Sequence, residues 1–271
     1  METRPGDDAA QPLIDTSIAH QARIYDYWLG GKDNFAVDRE AAEQALAAYP
    51  ELRRGVRAQR AFLASAVGYL AGQAGIRQFL DIGTGIPTAN NTHEVAQAVA
   101  PDSRVVYVDN DPMVLAHARA LLTSALPGAT SYLDADLRDT DKVLAAAAEQ
   151  LDFRQPVAVL LIGILQLIPD DDDPHAIVAQ LLKAVPSGSW LAIFHPASDI
   201  NPEQMAEAAR RVNSRSAGNT TLRPRAAIER FFDGTQLLDP GLVQVQRWRP
   251  GSAAPDDGVQ IAGYAGLSRK P

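Results

Sequence analysis

Short apolar runs alternate with helical patterns through the middle of this chain. Five of these runs indicate strands, because each is rich in β-branched or aliphatic residues and is too short for a helix. They are QFLDI (78–82), RVVYVD (104–109), TSYLDA (130–135), PVAVLLIG (156–163) and SWLAIFH (189–195). Strands separated by helices at this spacing predict right-handed crossovers and a parallel sheet that is buried on both faces, with residues 157–165 at its centre.

The ends of the chain follow other patterns. After a predicted helix at 224–232, the runs LVQVQRW (242–248) and VQIAGYAGLS (259–268) are joined by a Pro/Gly/Asp loop. That loop leaves no room for a crossover helix, so the two runs are predicted to be antiparallel strands. Upstream, residues 16–73 have a helical pattern, with the longest predicted helix at Arg53–Leu70.

These patterns divide the chain into three predicted parts: a disordered tail at 1–14, an N-terminal helical cap at 15–75, and a core domain at 76–271. The tail has no apolar run and is not expected to be a signal peptide. The longest apolar stretch, Val157–Ile168, is too short to span a bilayer. We therefore expect a soluble, cytoplasmic protein with no membrane partner.

Composition excludes several classes of site. The chain has no cysteine, which rules out disulfides, thiolate metal sites and a Cys nucleophile. Its net charge of −8 argues against general affinity for nucleic acid, which depends on Lys and Arg. Between Glu207 and Arg249, however, eight Arg stand against four acids. We interpret this segment as solvated faces with salt bridges to neighbouring elements, with an anion-binding surface as the alternative.

The stretch FLDIGTGIPT (79–88) indicates a ligand site. A strand that ends in Asp81 turns through Gly83 and Gly85 into a helix, at the edge where open α/β sheets bind ligands. This placement predicts a nucleotide-like cofactor, although a purely structural turn would also explain two glycines. A dinucleotide fingerprint would require a third glycine where this chain has Thr88.

Two further acids follow the next two predicted strands. Asp109 ends the second strand, where a carboxylate can accept hydrogen bonds from both ribose hydroxyls. Asp136 follows the third strand and is placed to meet the edge of an adenine. Either could instead be a helix N-cap, the commoner role for Asp after a strand.

With these residues the chain resembles a class I S-adenosylmethionine-dependent methyltransferase. The motifs YDYWLGGKDNFAVDR, QFLDIGTGIPT, VVYVDNDP, FFDG and WRP are similar to those of the actinobacterial S-adenosyl methyltransferase family, formerly a domain of unknown function. The similarity covers about residues 15–271. It implies an α/β, Rossmann-like sheet of seven mostly parallel strands with a C-terminal antiparallel hairpin, preceded by an N-terminal helical extension.

The resemblance also implies S-adenosylmethionine as the cofactor and a role for each matching residue. The methionine end is assigned to Asp81, Gly83, Thr84 and Gly85, the ribose to Asp109 and Asn110, the adenine to Asp136 and Leu137, and the pocket floor to Ile162 and Gly163. The chain departs from the family pattern at His20–Gln21, at Gln59, and at Gln166, where a His is frequent.

The stretch YDYWLGGKDNFAVDRE (25–40) is interpreted as part of a lid, defined as residues 22–40, over the cofactor and the acceptor. Aromatic side chains can exclude water, polar ones can reach a polar acceptor, and Gly30–Gly31 can act as a hinge. The residues assigned to the lid or acceptor side are Arg23, Tyr25, Tyr27, Lys32, Asn34 and His195, with Trp28 as a further apolar wall. The alternative is a loop that packs the helical cap onto the sheet.

Methyl transfer needs positioning above all, because the cofactor's sulfonium already activates the methyl group. No catalytic residue and no metal is assigned, and the run Asp170–Asp173 is interpreted as a helix cap. We expect S-adenosylmethionine-dependent methyl transfer to a small-molecule acceptor that the sequence does not identify. The alternatives are a non-catalytic S-adenosylmethionine sensor and, disfavoured by Thr88, an NAD-dependent oxidoreductase. The sequence leaves the oligomeric state open.

Overall fold

The protein is represented by a computed structural model that describes residues 15–121, 130–216, 218–248 and 258–271. The predicted disordered tail at 1–14 lies outside these ranges, as do Arg249 and most of the loop before the last strand.

The described strands form one sheet. They are β1 (Gln78–Ile82), β2 (Arg104–Asp109), β3 (Thr130–Asp134), β4 (Ala158–Ile162), β5 (Trp190–Pro196), β6 (Gln236–Leu237), β7 (Val243–Gln244) and β8 (Gly263–Arg269). Their order is β3-β2-β1-β4-β5-β8-β6, with β7 also paired to β8. Strands β1 to β5 are mutually parallel, and β8 is antiparallel to β5. The predicted parallel sheet with antiparallel C-terminal strands is confirmed.

The C-terminal strands differ in detail from the expected hairpin. Of the run 242–248, only Val243–Gln244 is a strand, and Val245–Arg247 forms a 3₁₀ turn instead. The sequence interpretation also missed β6, a strand of two residues that pairs with β8 and places Leu237 opposite Ser268. Such short strands carry too little alternation to be recognised from the sequence.

The described helices surround the sheet. They are α1 (Gln21–Leu29), α2 (Ala36–Ala48), α3 (Leu52–Gly72), α4 (Thr92–Val99), α5 (Pro112–Leu121), α6 (Thr140–Ala147), α7 (Pro174–Ala184), α8 (Pro202–Asn213) and α9 (Arg225–Glu229). The predicted cap at Asp173 is present, because its side chain accepts a hydrogen bond from the Ala176 N–H (3.1 Å). At the start of α5, Asp111 likewise accepts one from the Met113 N–H (2.8 Å). None of the described helices combines the length and apolar character needed to cross a membrane.

Alternating side chains of the central strands build two cores. Leu80 and Val159 face one side, where they pack with α1, α2, α6, α7 and α8. Phe79 and Leu160 face the other side, where they pack with α3 and α4. Burial of both faces explains why these strands read as continuous apolar runs. On the second side, α3 reaches the carboxyl end of β4, where Gln59 contacts Ile162.

Candidate functional site

A cavity of about 420 Å³ opens at the carboxyl ends of the parallel strands. Its lining includes every residue that the sequence assigned to the cofactor: Asp81, Gly83, Thr84, Gly85, Asp109, Asn110, Asp136, Leu137, Ile162 and Gly163. The fold brings them together because β1 to β4 run parallel, so the loops that follow them meet at one edge of the sheet.

The two glycines after β1 differ in what surrounds the position that a Cβ would occupy. Both have positive φ, 76° at Gly83 and 65° at Gly85, where glycine is favoured. A Cβ at Gly83 would lie 2.5 Å from Cβ of Ile164, so that position is closed by the protein itself. A Cβ at Gly85 would have no neighbour within 4 Å. Of the two, Gly85 therefore leaves open space beside the backbone.

Asp81 is a buried carboxyl at the end of β1. It is 5% exposed, and its Oδ2 accepts a hydrogen bond from the Thr92 hydroxyl (2.6 Å). Burial raises its pKa to about 6, while the Thr92 hydrogen bond and the nearby Arg60 act in the opposite direction. A carboxyl with so little compensation is costly to keep ionised, which makes this residue a candidate for contact with a positively charged ligand group.

Asp109 and Asp136 are held by their neighbours. Asp109 accepts hydrogen bonds from the backbone N–H groups of Gly85 (2.9 Å) and Asp111 (3.0 Å), and burial raises its pKa. Asp136 accepts two hydrogen bonds from the Arg138 guanidinium and one from Asn110 Nδ2 (3.1 Å). Arg138 holds the pKa of Asp136 below its ordinary value.

Two glutamines fix the floor of the cavity, and the sequence analysis noted them only as departures from the family pattern. Gln59 on α3 donates to the Ile162 carbonyl (3.0 Å), and a Cβ at Gly163 would overlap its amide nitrogen. Gln166 donates through Nε2 to the Gly163 carbonyl (2.6 Å). The glycine after β4 is therefore required by the close approach of α3, and its φ is 83°.

Helix α1 covers one side of the cavity. Ala22, Tyr25 and Trp28 line it at intervals of three residues, which places them on one face of the helix. Just before α1, His20 Nδ1 lies 2.8 Å from Asp111 Oδ2 and ties the helix start to the end of β2. Tyr25 and Trp28 therefore line the cavity, and a lid over the cofactor stays a prediction.

The polar residues of the lid have a different role. Asn34 is 8% exposed, and its Nδ2 donates to Asp26 Oδ2 (2.7 Å) and to the Gly31 carbonyl (3.1 Å). Asp26 also accepts from the Asp33 N–H (3.0 Å), and a Cβ at Gly31 would overlap its carboxylate. The expectation that Asn34 reaches an acceptor is thus corrected: it is used to fold the loop. Gly31 is packed against Asp26, which does not suit a hinge.

A second buried acid organises the other half of the motif. Asp38 is fully buried and accepts from Arg23 Nε (2.9 Å) and from the N–H groups of His20 (2.9 Å) and Phe35 (2.8 Å). Arg23 is therefore committed to an internal ion pair and does not line the cavity, contrary to expectation.

Three more assigned residues lie elsewhere than expected. Tyr27 donates to Glu43 (2.5 Å) outside the cavity, and Lys32 is exposed. His195 is fully buried: its Nδ1 donates to the Pro196 carbonyl (2.8 Å), and its Nε2 accepts from Arg223 Nη1 (2.9 Å). Burial lowers its pKa to about 3, so this imidazole is neutral and has no free nitrogen for an acceptor.

The rest of the cavity was not recognised from the sequence. Beyond the strand ends it is lined by apolar side chains from α2, α3, α8 and the segments before α9 and β8. We call this part the apolar chamber, and its residues are Ala45, Tyr49, Leu52, Met205, Ala208, Ala209, Val212, Leu222, Ile261 and Ala262.

The Arg-rich segment is largely paired within the protein. Arg211 and Arg210 contact Glu207, Arg215 contacts Glu40, Arg223 contacts Asp170, and Arg225 contacts Glu229. The ion pairs of Arg210, Arg211, Arg215 and Arg225 agree with the interpretation of solvated faces, whereas Arg223 is buried. Within the described residues, no group of three or more His, Asp or Glu is arranged to hold a metal ion.

The chain matches the family described as S-adenosyl methyltransferase over residues 7–271. It is 46% identical to a DUF574 family protein from Streptomyces avermitilis MA-4680, with a TM-score of 0.91 and coverage of 96% of this chain and 100% of that one. It is 39% identical to a protein from Thermobifida fusca YX assigned as a methyltransferase, with a TM-score of 0.89 and coverage of 97% and 99%. An O-methyltransferase family protein from Burkholderia thailandensis shares the fold alone, at 13% identity, a TM-score of 0.53 and coverage of 90% and 63%. No curated protein matches the chain.

Proposed function

We propose a placement of cofactor and acceptor for this chain, which belongs to the S-adenosyl methyltransferase family and is an S-adenosylmethionine-dependent methyltransferase. In this proposal the cavity holds S-adenosylmethionine along the carboxyl ends of β1 to β4, and a small-molecule acceptor occupies the remaining space. One observation carries the proposal: ten residues at or just after the carboxyl ends of four different strands line a single cavity. The cavity volume of about 420 Å³ lies within the usual range of ligand pockets, about 300–1,000 Å³.

The polar groups at the strand ends fit the cofactor. An ionised carboxylate offers about four acceptor positions. Asp109 uses two of them for backbone N–H groups, which leaves two for the ribose hydroxyls. Asp136, kept ionised by Arg138, can accept from the adenine amino group with Leu137 against the ring. The open space beside Gly85 lets the cofactor approach the backbone.

The methionine end is assigned to Asp81, Gly83, Thr84 and Gly85, with Ile162 and Gly163 as the floor. S-adenosylmethionine supplies a methyl group already activated by its sulfonium. The chain's own residues then contribute binding, orientation and exclusion of water, with Tyr25 and Trp28 of α1 as the apolar cover. We assign no general base, since His195 lies outside the cavity and both of its ring nitrogens are engaged.

Calorimetry with S-adenosylmethionine, its demethylated product and NAD tests this placement. We expect the first two to bind and NAD not to bind. Asp109→Ala should weaken binding of S-adenosylmethionine by about 1–3 kcal/mol, the range for losing hydrogen bonds to a charged group. The matched control is Asp233→Ala, which removes an exposed carboxylate outside the cavity. Unchanged affinity in a folded Asp109 variant would contradict the ribose assignment.

A further inference from the structure

The cavity changes character between the strand ends and the apolar chamber. Among the described lining residues, those with a carboxylate, guanidinium or imidazole side chain are Asp81, Asp109, Asp136, Arg138, His20 and Arg60. The three acids follow strands, and Arg138 and His20 pair with acids beside them. Arg60 donates to the Ala89 and Asn90 carbonyls (both 3.0 Å) in the loop after β1. These groups all lie at, or contact, the ends of β1, β2 and β3 and the segments that follow them.

The described chamber residues, by contrast, carry no charged side chain. Helix α8 contributes Met205, Ala208, Ala209 and Val212, and the segment before β8 contributes Ile261. An ion moved from water into such surroundings without a partner of opposite charge loses its hydration and gains nothing in return. The chamber thus selects against charged molecules.

Hydrogen-bonding groups around the chamber are mostly occupied. The Tyr49 hydroxyl donates to the Gln260 carbonyl (3.0 Å) and accepts from the Ala262 N–H and from Asn201 Nδ2 (both 3.3 Å). Tyr49 therefore contributes its ring rather than a free hydroxyl. The Tyr49 ring therefore forms an apolar wall of the chamber.

Gln166 has an acceptor atom that the described residues leave unused. Its Nε2 is used by the Gly163 carbonyl, and its Oε1 is buried and accepts no hydrogen bond from the described residues. Its side chain lines the cavity where the floor after β4 meets the chamber. A buried carbonyl oxygen without a donor is unfavourable, and a ligand that donates a hydrogen bond to it removes that penalty.

From these observations we infer that the acceptor is an uncharged, largely apolar molecule that presents one O–H or N–H group to Gln166 Oε1. The inference rests on the proposed placement of S-adenosylmethionine at the strand ends. It names the substrate class of the chamber, with Gln166 as the residue that determines specificity.

A fragment screen tests the inference without knowledge of the acceptor. Aromatic fragments of matched size, in equal numbers of neutral, anionic and cationic compounds, are tested by ligand-observed NMR with S-adenosylhomocysteine at saturation. Ala209→Phe fills the chamber from α8, and Ala206→Phe is its control, because Ala206 is exposed on the same helix. Chamber ligands are those whose signal is lost in the first variant and kept in the second. Retained affinity for S-adenosylhomocysteine shows that the Ala209 variant is folded.

We expect the chamber ligands to be mainly neutral, and most to carry one hydrogen-bond donor. A majority of charged ligands would overturn the inference, and so would the absence of any chamber ligand. Failure of the wild-type protein to bind S-adenosylhomocysteine would instead refute the proposed function. The two failures are therefore distinguishable.

The role of Gln166 is tested with pairs of chamber ligands that differ only by methylation of the donor. Gln166→Met should weaken binding of the donor-bearing member roughly three- to tenfold, the value of one hydrogen bond, and leave its methylated partner unchanged. Equal losses for both members would mean that the variant merely damages the floor at Gly163. No loss for either would show that Oε1 does not contact the ligand.

Discussion

Replacing the buried carboxyl of Asp81 by an amide should make the unliganded protein more stable and its cofactor binding weaker. Asn has nearly the same size as Asp, and its Oδ1 can still accept the hydrogen bond from Thr92 that Asp81 receives at 2.6 Å. Asp81→Asn therefore removes the ionisable group from the 5% exposed site while keeping its shape.

The magnitude follows from the pKa of Asp81, which burial raises from 3.8 to about 6. A rise of about two units corresponds to about 3 kcal/mol at most, since one unit is worth 1.36 kcal/mol. Because the folded-state pKa lies above the unfolded one, burial of Asp81 carries no ionisation penalty below pH 3.8, where the carboxyl is protonated in both states. The wild type loses stability relative to that state as pH rises through about 6. At pH 7.5 Asp81→Asn should be about 1–3 kcal/mol more stable than the wild type, and the difference should shrink towards pH 4.

Urea denaturation without ligand, at several pH values between 4 and 8, measures the stability difference. The other carboxyl groups titrate in both proteins, so the difference between them isolates Asp81. Calorimetry measures the affinity for S-adenosylmethionine, which should depend on the charge of Asp81 because the cofactor's methionine end carries an ammonium group. Wild-type affinity should rise as Asp81 ionises between about pH 5 and 7, and the variant should be weaker at pH 7.5 and show a flatter pH profile.

Asp233→Asn is the control for loss of a carboxylate from an exposed position. A variant less stable than the wild type at pH 7.5, or a difference that does not shrink in acid, would refute the argument from burial. A more stable variant that binds S-adenosylmethionine as tightly as the wild type at every pH would show that Asp81 does not contact the methionine end.

Three further predictions concern the elements around the cavity. Asn34→Ala should lower stability by about 1–3 kcal/mol without changing cofactor affinity, because it removes a hydrogen-bond donor from buried Asp26. Thermal melts with Lys32→Ala as the control, together with calorimetry, check this prediction, and lost affinity with intact stability would contradict it. Arg223→Met should cost at least about 3 kcal/mol in urea denaturation, because it leaves several buried acceptors without a donor, and a neutral result would refute that role. S-adenosylhomocysteine should slow hydrogen exchange around Tyr25 in α1, and unchanged exchange would show that this segment does not cover the ligand.

The strands and their acids were predictable because both are local patterns. An aliphatic run such as that of β4 is long enough to recognise, and Asp109 is the last residue of its strand. Parallel topology then requires the strand ends to meet, so the cofactor residues could be grouped before any geometry was known. Gly30, named above only as part of a hinge, ends α1 in the left-handed conformation with φ 87°.

The remainder depends on contacts between residues distant in the chain. His195 loses its candidate role because Arg223, 28 residues later, donates to its Nε2. Asn34 could not be separated from a ligand-binding residue without knowing that Asp26 is buried beside it. The apolar chamber is lined by residues of both α2 and α8, and two of them, Ala45 and Ala208, look like ordinary core residues in the sequence. Short-range patterns do not carry this information.

A crystal structure of the protein with bound S-adenosylhomocysteine tests the central claim most directly. The account predicts the ribose hydroxyls within hydrogen-bonding distance of Asp109, the adenine beside Asp136 and Leu137, and the sulfur directed towards the apolar chamber near Gln166. Electron density for the ligand at any other place, or a ribose that does not contact Asp109, would contradict the account.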